Sequence, residues 1–411
     1  MKELTEGAFA KVNLTLDVLD KREDGYHNLR SIMQTVSLHD DVHVTVGCEG
    51  WQIHCYREVL PPDADENTEP ELVTCGLPQD RENLAWKAAE AFYARIGKKP
   101  EGLEIFINKR IPLEAGLGGG SAIDCAKAIA LGIPYDGDVW DFYCGKAVPK
   151  KAMPVGVVLT IPAAGSEGSN SSVITNEDGW IKRGLGCDLT RPAFAIYNPE
   201  LTYSLPAYQT AAGATDIMAH IMERYFTNEP DVDMTDRLCE SVLKTIIRQA
   251  PVAVKEPDNY VARAEMMWAS TVAHNDFLSC FRVGDWSSHQ LSHELSGMYD
   301  ATHGAALAVA FPAWMTYVYK HDVQRFCRFA VEVMGVEMDF FHPEETALKG
   351  IAALRAFFKS IGMPTTLSEL GVPEDKLDVL ADKVKRGADG TTGQFVKLTR
   401  DDCLKIYQLM R

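Results

Sequence analysis

The chain has 411 residues, with 41 Lys plus Arg against 58 Asp plus Glu, so the formal net charge of −17 speaks against a basic nucleic-acid surface. Hydrophobic residues make up 46% and charged residues 24%, the composition of a globular protein of about two or three domains and not of a disordered chain. No apolar run reaches ~18 residues, the opening MKELTEGAFAKVNL lacks the basic-then-apolar order of a signal peptide, and the 10 cysteines include no CxxC pair, so the expectation is a cytoplasmic protein with reduced thiols and no membrane partner.

In chain order, residues 8–47 alternate strand-like segments with turns, KREDGYHN supplying the turn chemistry. Residues 56–82, with PPDADENTEPE at their centre, read as an acidic surface loop. NLAWKAAEAFYARIG (83–97) has helical period and ends at glycine, and GLEIFINKRIP (102–112) reads as a strand. AGLGGGS (115–121) is a glycine-rich loop, and AIDCAKAIALG (122–132) is a helix leaving it. PVGVVLTIPAAGSEGS (154–169) is a buried strand running into a small-residue loop, and SSVITNEDGWIKRG (171–184) a hairpin turning at 177–179. From about 205 to 411 nearly everything is helical by period. The first ~120 residues therefore predict an α+β segment, the middle a partial α/β region and the last ~200 an all-α domain.

The glycine loop is the first chemical signal. Glycines let a backbone approach an oxyanion closely, and the following helix start offers unpaired N–H groups. AFAKVNLTLDVLDKREDGYHNLRSIMQTVSLHD (8–40), NLAWKAA and IPLEAGLGGGSA together resemble, in order, the start of a 4-diphosphocytidyl-2-C-methylerythritol kinase of the GHMP kinase family, over residues 5–122. The resemblance implies a GHMP-kinase-like segment whose loop holds ATP phosphates, with Lys11 beside the phosphoryl acceptor, Asn13 near it, and Tyr26 and His27 on a cytosine. It stops at the loop: no GADVPFF-like segment follows, and Asp138 and Asp141 lie at roughly the right distance in a different context.

The second signal is a set of carboxylate and imidazole groups. Asp216 and His220 stand at i and i+4 on one predicted helix, His289 and His293 repeat the spacing on another, and His303 precedes a third. Such a mixed set suits Fe²⁺ or Zn²⁺. From GGGSAIDCAKAIALG (118–132) onward, through TIPAAGSEGSNSSVIT (160–175), RPAFAIYNPELTYSLPAYQTAAGATDIMAH (191–220) and SSHQLSHELSGMYDATHGAALA (287–308), the chain resembles an iron-containing alcohol dehydrogenase of the butanol dehydrogenase type. That resemblance implies the dehydroquinate synthase-like fold of this family, and assigns Asp216, His220, His289 and His303 as metal ligands with His293 beside the metal and the nicotinamide. It also implies that Gly118, Gly119, Gly120 and Ser121 hold the pyrophosphate of NAD(H) or NADP(H), that Thr160 and Ser166 line its phosphate–ribose region, and that Lys182 neutralises it.

The reading is thus of two joined pieces: a kinase-like segment 1–120, and a dehydrogenase-like remainder made of a partial dinucleotide-binding region 118–190 and an all-α metal-binding domain 191–411. The expected partner is a small-molecule alcohol or aldehyde, with a homodimer as the expected assembly. The family's first βαβ units are expected to be missing, replaced by the kinase-like segment.

Overall fold

The computed structural model describes residues 2–21, 27–59, 71–74, 78–98, 102–108, 115–176 and 181–411. The chain divides into two compact units, Met1–Leu113 and Glu114–Arg411.

Among its described residues the first unit is a mixed sheet with one helix. Its strands are β1 (Lys2–Lys21), β2 (His27–Val46), β3 (Trp51–Val59), β4 (Glu71–Thr74) and β5 (Leu103–Asn108), ordered β1-β2-β5-β3-β4, and its helix is α1 (Leu84–Ile96). The Asn83 side chain accepts from the Ala85 amide to start α1, and Gly97, at φ 67°, ends it. One face of α1 carries Ala85, Trp86, Ala89 and Tyr93, which pack on Ile53, Cys55, Leu103, Ile105 and Ile107. These apolar residues alternate along β3 and β5, so one sheet face is covered by the helix.

Two sequence expectations change here. Residues 56–59 belong to β3, paired with 71–74 in β4, where one loop over 56–82 was expected; Tyr56, Val59, Val73 and Thr74 favour strand, and the ladder carries Arg57, Glu58 and Glu71 with them. The central residues 60–70 of that loop lie outside the described residues. In addition, β3 and β5 pair in parallel with α1 between them, so a βαβ unit does precede the glycine loop. Of the kinase-type residues, Lys11 stands opposite Thr35 and Asn13 opposite Met33 on β1. The side chains of Lys11, Asn13 and His27, and the whole of Tyr26, lie outside the described residues.

The second unit begins with β6 (Ala115–Gly118), α2 (Gly120–Gly132), α3 (Trp140–Tyr143), β7 (Gly156–Leu159), β8 (Ser171–Asn176), β9 (Ile181–Gly186) and β10 (Phe194–Tyr197). A parallel sheet runs β10-β7-β6, and β8 and β9 form an antiparallel pair closing at Asn176 opposite Ile181, with the turn residues 177–179 outside the described residues. Ala115–Gly118 is a strand where a loop was expected: pairing with the fully buried β7 holds these glycines extended, and the loop shrinks to Gly119.

The helices follow: α4 (Ala207–Tyr225), α5 (Asp233–Lys255), α6 (Tyr260–His274), α7 (Ser287–Tyr299), α8 (His303–Val318), α9 (Val323–Arg328), α10 (Pro343–Ser360), α11 (Leu367–Leu370), α12 (Leu377–Lys383) and α13 (Arg400–Gln408). Helix α8 is apolar all round and buries 13 of its 16 residues, which makes it the central rod of the core. Helix α4 is buried at every position from Thr210 to Tyr225, so its Asp216, His220, Glu223 and Arg224 are forced inside and require partners. Among the described residues no helix is long and apolar enough to cross a membrane.

Helices α4 and α8 meet where Gly304 faces the Ala212 carbonyl, and a Cβ on Gly304 would run into that oxygen. Gly304→Ala is therefore expected to cost about 3 kcal/mol, the upper end of ordinary overpacking. Denaturant unfolding followed by circular dichroism checks this, and a variant as stable as the wild type would refute the packing argument.

Candidate active site

Three helix segments aim their polar side chains at one point. Asp216 and His220 are one turn apart on α4, His289 lies in the first turn of α7, and His303 opens α8. Asp216 Oδ1 lies 3.5 Å from His220 Nε2, 3.9 Å from His289 Nε2 and 3.7 Å from His303 Nε2. Ligand atoms of Asp216, His289 and His303 all lie within 4.8 Å of one another.

These distances are too long for hydrogen bonds, and Asp216 Oδ1 and His289 Nε2 are buried without a hydrogen-bond partner. A buried carboxylate oxygen among unpartnered imidazole nitrogens is costly by itself and fits a divalent cation held by N and O ligands. Burial pushes the Asp216 carboxyl up to about 6, opposed by His289 and Lys182. It also holds the His220 and His303 imidazoles well below their usual range, with neighbouring cations adding to the effect, so both rings are neutral and able to ligate. The His303 side chain is 24% exposed against 5–8% for His220, His289 and Asp216, so the centre opens on the His303 side.

Glu223, which the sequence reading passed over, orients the site. It is fully buried one turn beyond His220. Its Oε1 accepts from the His289 amide at 3.0 Å and from His289 Nδ1 at 2.8 Å, and its Oε2 accepts from the Trp286 amide at 2.6 Å. The proton is thereby fixed on Nδ1, and the Nε2 lone pair is left facing Asp216. Trp286 takes a left-handed φ of 67°, a strained conformation for a bulky residue. That geometry turns its amide to Glu223 and its ring onto His220, His274 and His289, with centroids 5.3–5.8 Å apart. His274, also absent from the sequence reading, packs against His220 with centroids 4.3 Å apart and planes tilted by 36°, and accepts from Arg224 Nη2 at 2.9 Å. The signal for Glu223 was present: Asp216, His220 and Glu223 follow i, i+4, i+7 spacing on one helix face.

His293 sits beside the centre, its ring 5.3 Å from that of His303 and 6.4 Å from that of His289. Burial, with Lys182 next in effect, holds its imidazole well below the usual range. Lys182 on β9 is half-buried; burial lowers its ammonium, and its charge acts on Asp216, His293 and His303.

The glycine-loop residues belong to the sheet and α2, not to the Asp216–imidazole cluster. Gly118 pairs with Leu159, so Gly119 and Thr160 lie side by side beyond the carboxyl ends of adjacent parallel strands, where open α/β sheets bind ligands. Gly119 caps α2 without any side-chain cap, which leaves the first-turn N–H groups of Gly120 and Ser121 uncapped by side chains. A Cβ on Gly119 would come within 2.9 Å of the Ile161 side chain, so that glycine also serves packing. Ser166 is 3% exposed, and its hydroxyl gives its proton to Asp124 at 2.6 Å, which places it behind the loop.

Glu223→Gln keeps the shape of the side chain but removes the charge that orients His289. Zinc affinity, measured by competition with a metal-buffering chelator, is expected to fall about 10-fold, the low end for loss of such an outer partner. Unchanged affinity would show that Glu223 serves folding alone.

Residues 99–199 match the family described as Iron-containing alcohol dehydrogenase, and residues 210–410 match the Fe-containing alcohol dehydrogenase family, C-terminal. A probable NADH-dependent butanol dehydrogenase 1 of Bacillus subtilis (strain 168) is 40% identical over 314 residues, covering 76% of this chain and 81% of the relative. An NADPH-dependent aldehyde reductase of Escherichia coli (strain K12) is 34% identical over 301 residues, 72% of this chain and 76% of the relative. The crystal structure of an NADH-dependent butanol dehydrogenase A from Thermotoga maritima superposes with a TM-score of 0.69 at 34% identity, covering 79% of this chain and 88% of that one. Family match, identity and coverage agree: the chain belongs to the iron-containing alcohol dehydrogenases, enzymes of alcohol–aldehyde oxidoreduction.

Proposed function

We propose that the protein is a metal-dependent, NAD(P)H-linked reductase of short-chain aldehydes that also runs in the alcohol-oxidising direction. The observation that carries this is the buried Asp216 Oδ1, free of hydrogen bonds and faced by three imidazole Nε2 atoms. When bound, Fe²⁺ or Zn²⁺ supplies Lewis acidity toward the substrate oxygen and the nicotinamide supplies or takes up the hydride.

In this reading Asp216, His220, His289 and His303 hold the ion, and Glu223 fixes the ring of His289. Gly118 to Ser121 receive the pyrophosphate at the start of α2, and Thr160 borders it on the neighbouring strand end. The 118–190 region thus serves the cofactor and 191–411 the ion and substrate. His293 lies on the more open side of the cluster, and its neutral imidazole is suited to pass a proton to or from the substrate oxygen. Lys182 puts positive charge on the same side as His293 and His303, favouring a developing alkoxide. The substrate is a small molecule, and the nine described cysteines, all free thiols, support a cytoplasmic setting.

For the alternative, ATP-dependent phosphorylation of a diphosphocytidyl sugar alcohol in isoprenoid biosynthesis, support is confined to the resemblance of residues 5–122. The dehydrogenase match begins at residue 99 and takes in the glycine loop that both readings claim. The dehydrogenase reading therefore stands first.

The test is steady-state oxidation of NADH and of NADPH with butanal, with and without a chelator. Turnover is expected with at least one cofactor, lost on chelation and restored by Fe²⁺ or Zn²⁺. His289→Ala is expected to lower it at least 100-fold, since an ion site missing one ligand loses both occupancy and geometry. Turnover indifferent to the chelator would refute the reading.

A further inference from the structure

One buried cation has no part in the reading above. Lys127, in α2, is completely buried. Its ammonium donates to the Ser166 carbonyl at 2.7 Å, the Ser166 hydroxyl at 2.9 Å, the Ser169 carbonyl at 2.9 Å and the Ser171 carbonyl at 2.8 Å, with the Ser169 hydroxyl at 3.4 Å. An ammonium has three protons, so these five oxygens share a fully used donor set. Asp124, one turn earlier, accepts from the Ser166 hydroxyl at 2.6 Å and from the Val173 amide at 2.9 Å. The two buried charges are thus linked through Ser166, and both bind the 166–173 segment rather than solvent.

That segment continues a loop caught between two parts of the site. At one end Ile161 and Ala164 lie against Gly119 and Gly120, where added Cβ atoms would approach them to 2.9 and 3.1 Å. At the other, the Pro162 carbonyl abuts Gly213, one turn before Asp216 in α4. Beyond Ser166, Glu167 accepts from Ser270 at 3.0 Å and Thr271 at 2.8 Å, tying the loop to α6. A backbone shift at 166–171 would therefore move the glycine loop relative to the ion-binding helix.

We propose that Lys127 is a positioning residue for the reaction: its ammonium, braced by Asp124, fixes the 166–171 backbone and so sets the spacing between Gly119 and Asp216 that a nicotinamide dinucleotide has to bridge. This rests on the dehydrogenase reading. Burial lowers the ammonium to about 8, with Asp124 and Glu167 opposing the shift, so the residue is mostly charged at neutral pH. Neither Lys127 nor Asp124 is placed at the ion or the substrate.

The experiment compares the wild type with Lys127→Met and with Asp124→Asn/Lys127→Met, all as zinc-loaded full chains. NADH and NADPH binding is read from nicotinamide fluorescence, and zinc content is measured in parallel. Both variants are expected to bind the wild type's preferred cofactor at least about 10-fold more weakly at unchanged zinc content, with the loss in the cofactor KM and kcat within about threefold at saturation. The double variant removes both charges of the Asp124–Lys127 pair and leaves Glu167 its hydrogen bonds from Ser270 and Thr271, so it separates positioning from the charge balance of that pair. If it restores wild-type cofactor affinity, or if it fails to fold or loses its zinc, the pair serves the fold and the proposal is overturned. If the wild type binds a cofactor and the variants bind it equally well, positioning alone falls. A wild type that binds neither cofactor overturns the dehydrogenase reading and the positioning role together.

Discussion

The second unit is organised around one oxygen. Asp216 Oδ1 lies on a helix buried at every position from Thr210 to Tyr225, with no hydrogen-bond partner and three imidazole nitrogens 3.5–3.9 Å away. An isolated buried carboxylate is among the most costly groups a core can contain. Its retention there, on the best-packed helix of the unit, makes sense only if the same packing brings compensating ligands from other helices. Helices α7 and α8 deliver them from their first residues, where a helix start offers a fixed direction and some access, while the apolar remainder of α8 locks the assembly into the core.

The second requirement is orientation. An imidazole can present either nitrogen, and a loosely held ring would present both. Glu223 removes that freedom by taking both the His289 amide and Nδ1, and it takes the Trp286 amide with its other oxygen. One carboxylate therefore fixes where α7 begins and which nitrogen faces Asp216. The left-handed Trp286 is the cost of that arrangement, of the order of 1–3 kcal/mol, borne where surrounding contacts over-determine it. Its ring meets three imidazoles edge to face and lies under Arg224 at 4.7 Å.

What the sequence made legible follows from the range of each signal. Asp216 with His220, and His289 with His293, announce themselves through helical spacing, because i and i+4 side chains share a face whatever the tertiary structure. Glu223 shares that face, but glutamates on helices are common, and only the folded structure shows it completely buried against α7. Lys127 was read past for the same reason: nothing local distinguishes a lysine that ends in five buried oxygens from one that ends in water. Strand pairing was the other weak point. The 56–59 and 115–118 segments carry polar residues and glycines, and they are strands because a neighbouring strand supplies the ladder, which no local periodicity records.

The proposed cofactor end and the proposed ion end are built by different means. The glycine loop and Thr160 stand at the carboxyl edge of a three-stranded parallel sheet, whereas the imidazoles stand on helices far along the chain. In the proposed reading a dinucleotide reaches from one to the other, and its affinity depends on their separation being held before it binds. The small-residue loop after β7 is what spans them, since it touches Gly119 on one side and Gly213 on the other. Its abundance of alanine, glycine and serine allows that close approach but gives it little stiffness of its own. Rigidity has to come from outside the loop, and the fully buried ammonium of Lys127, joined to three points of the loop backbone by charge-assisted hydrogen bonds, supplies such a restraint.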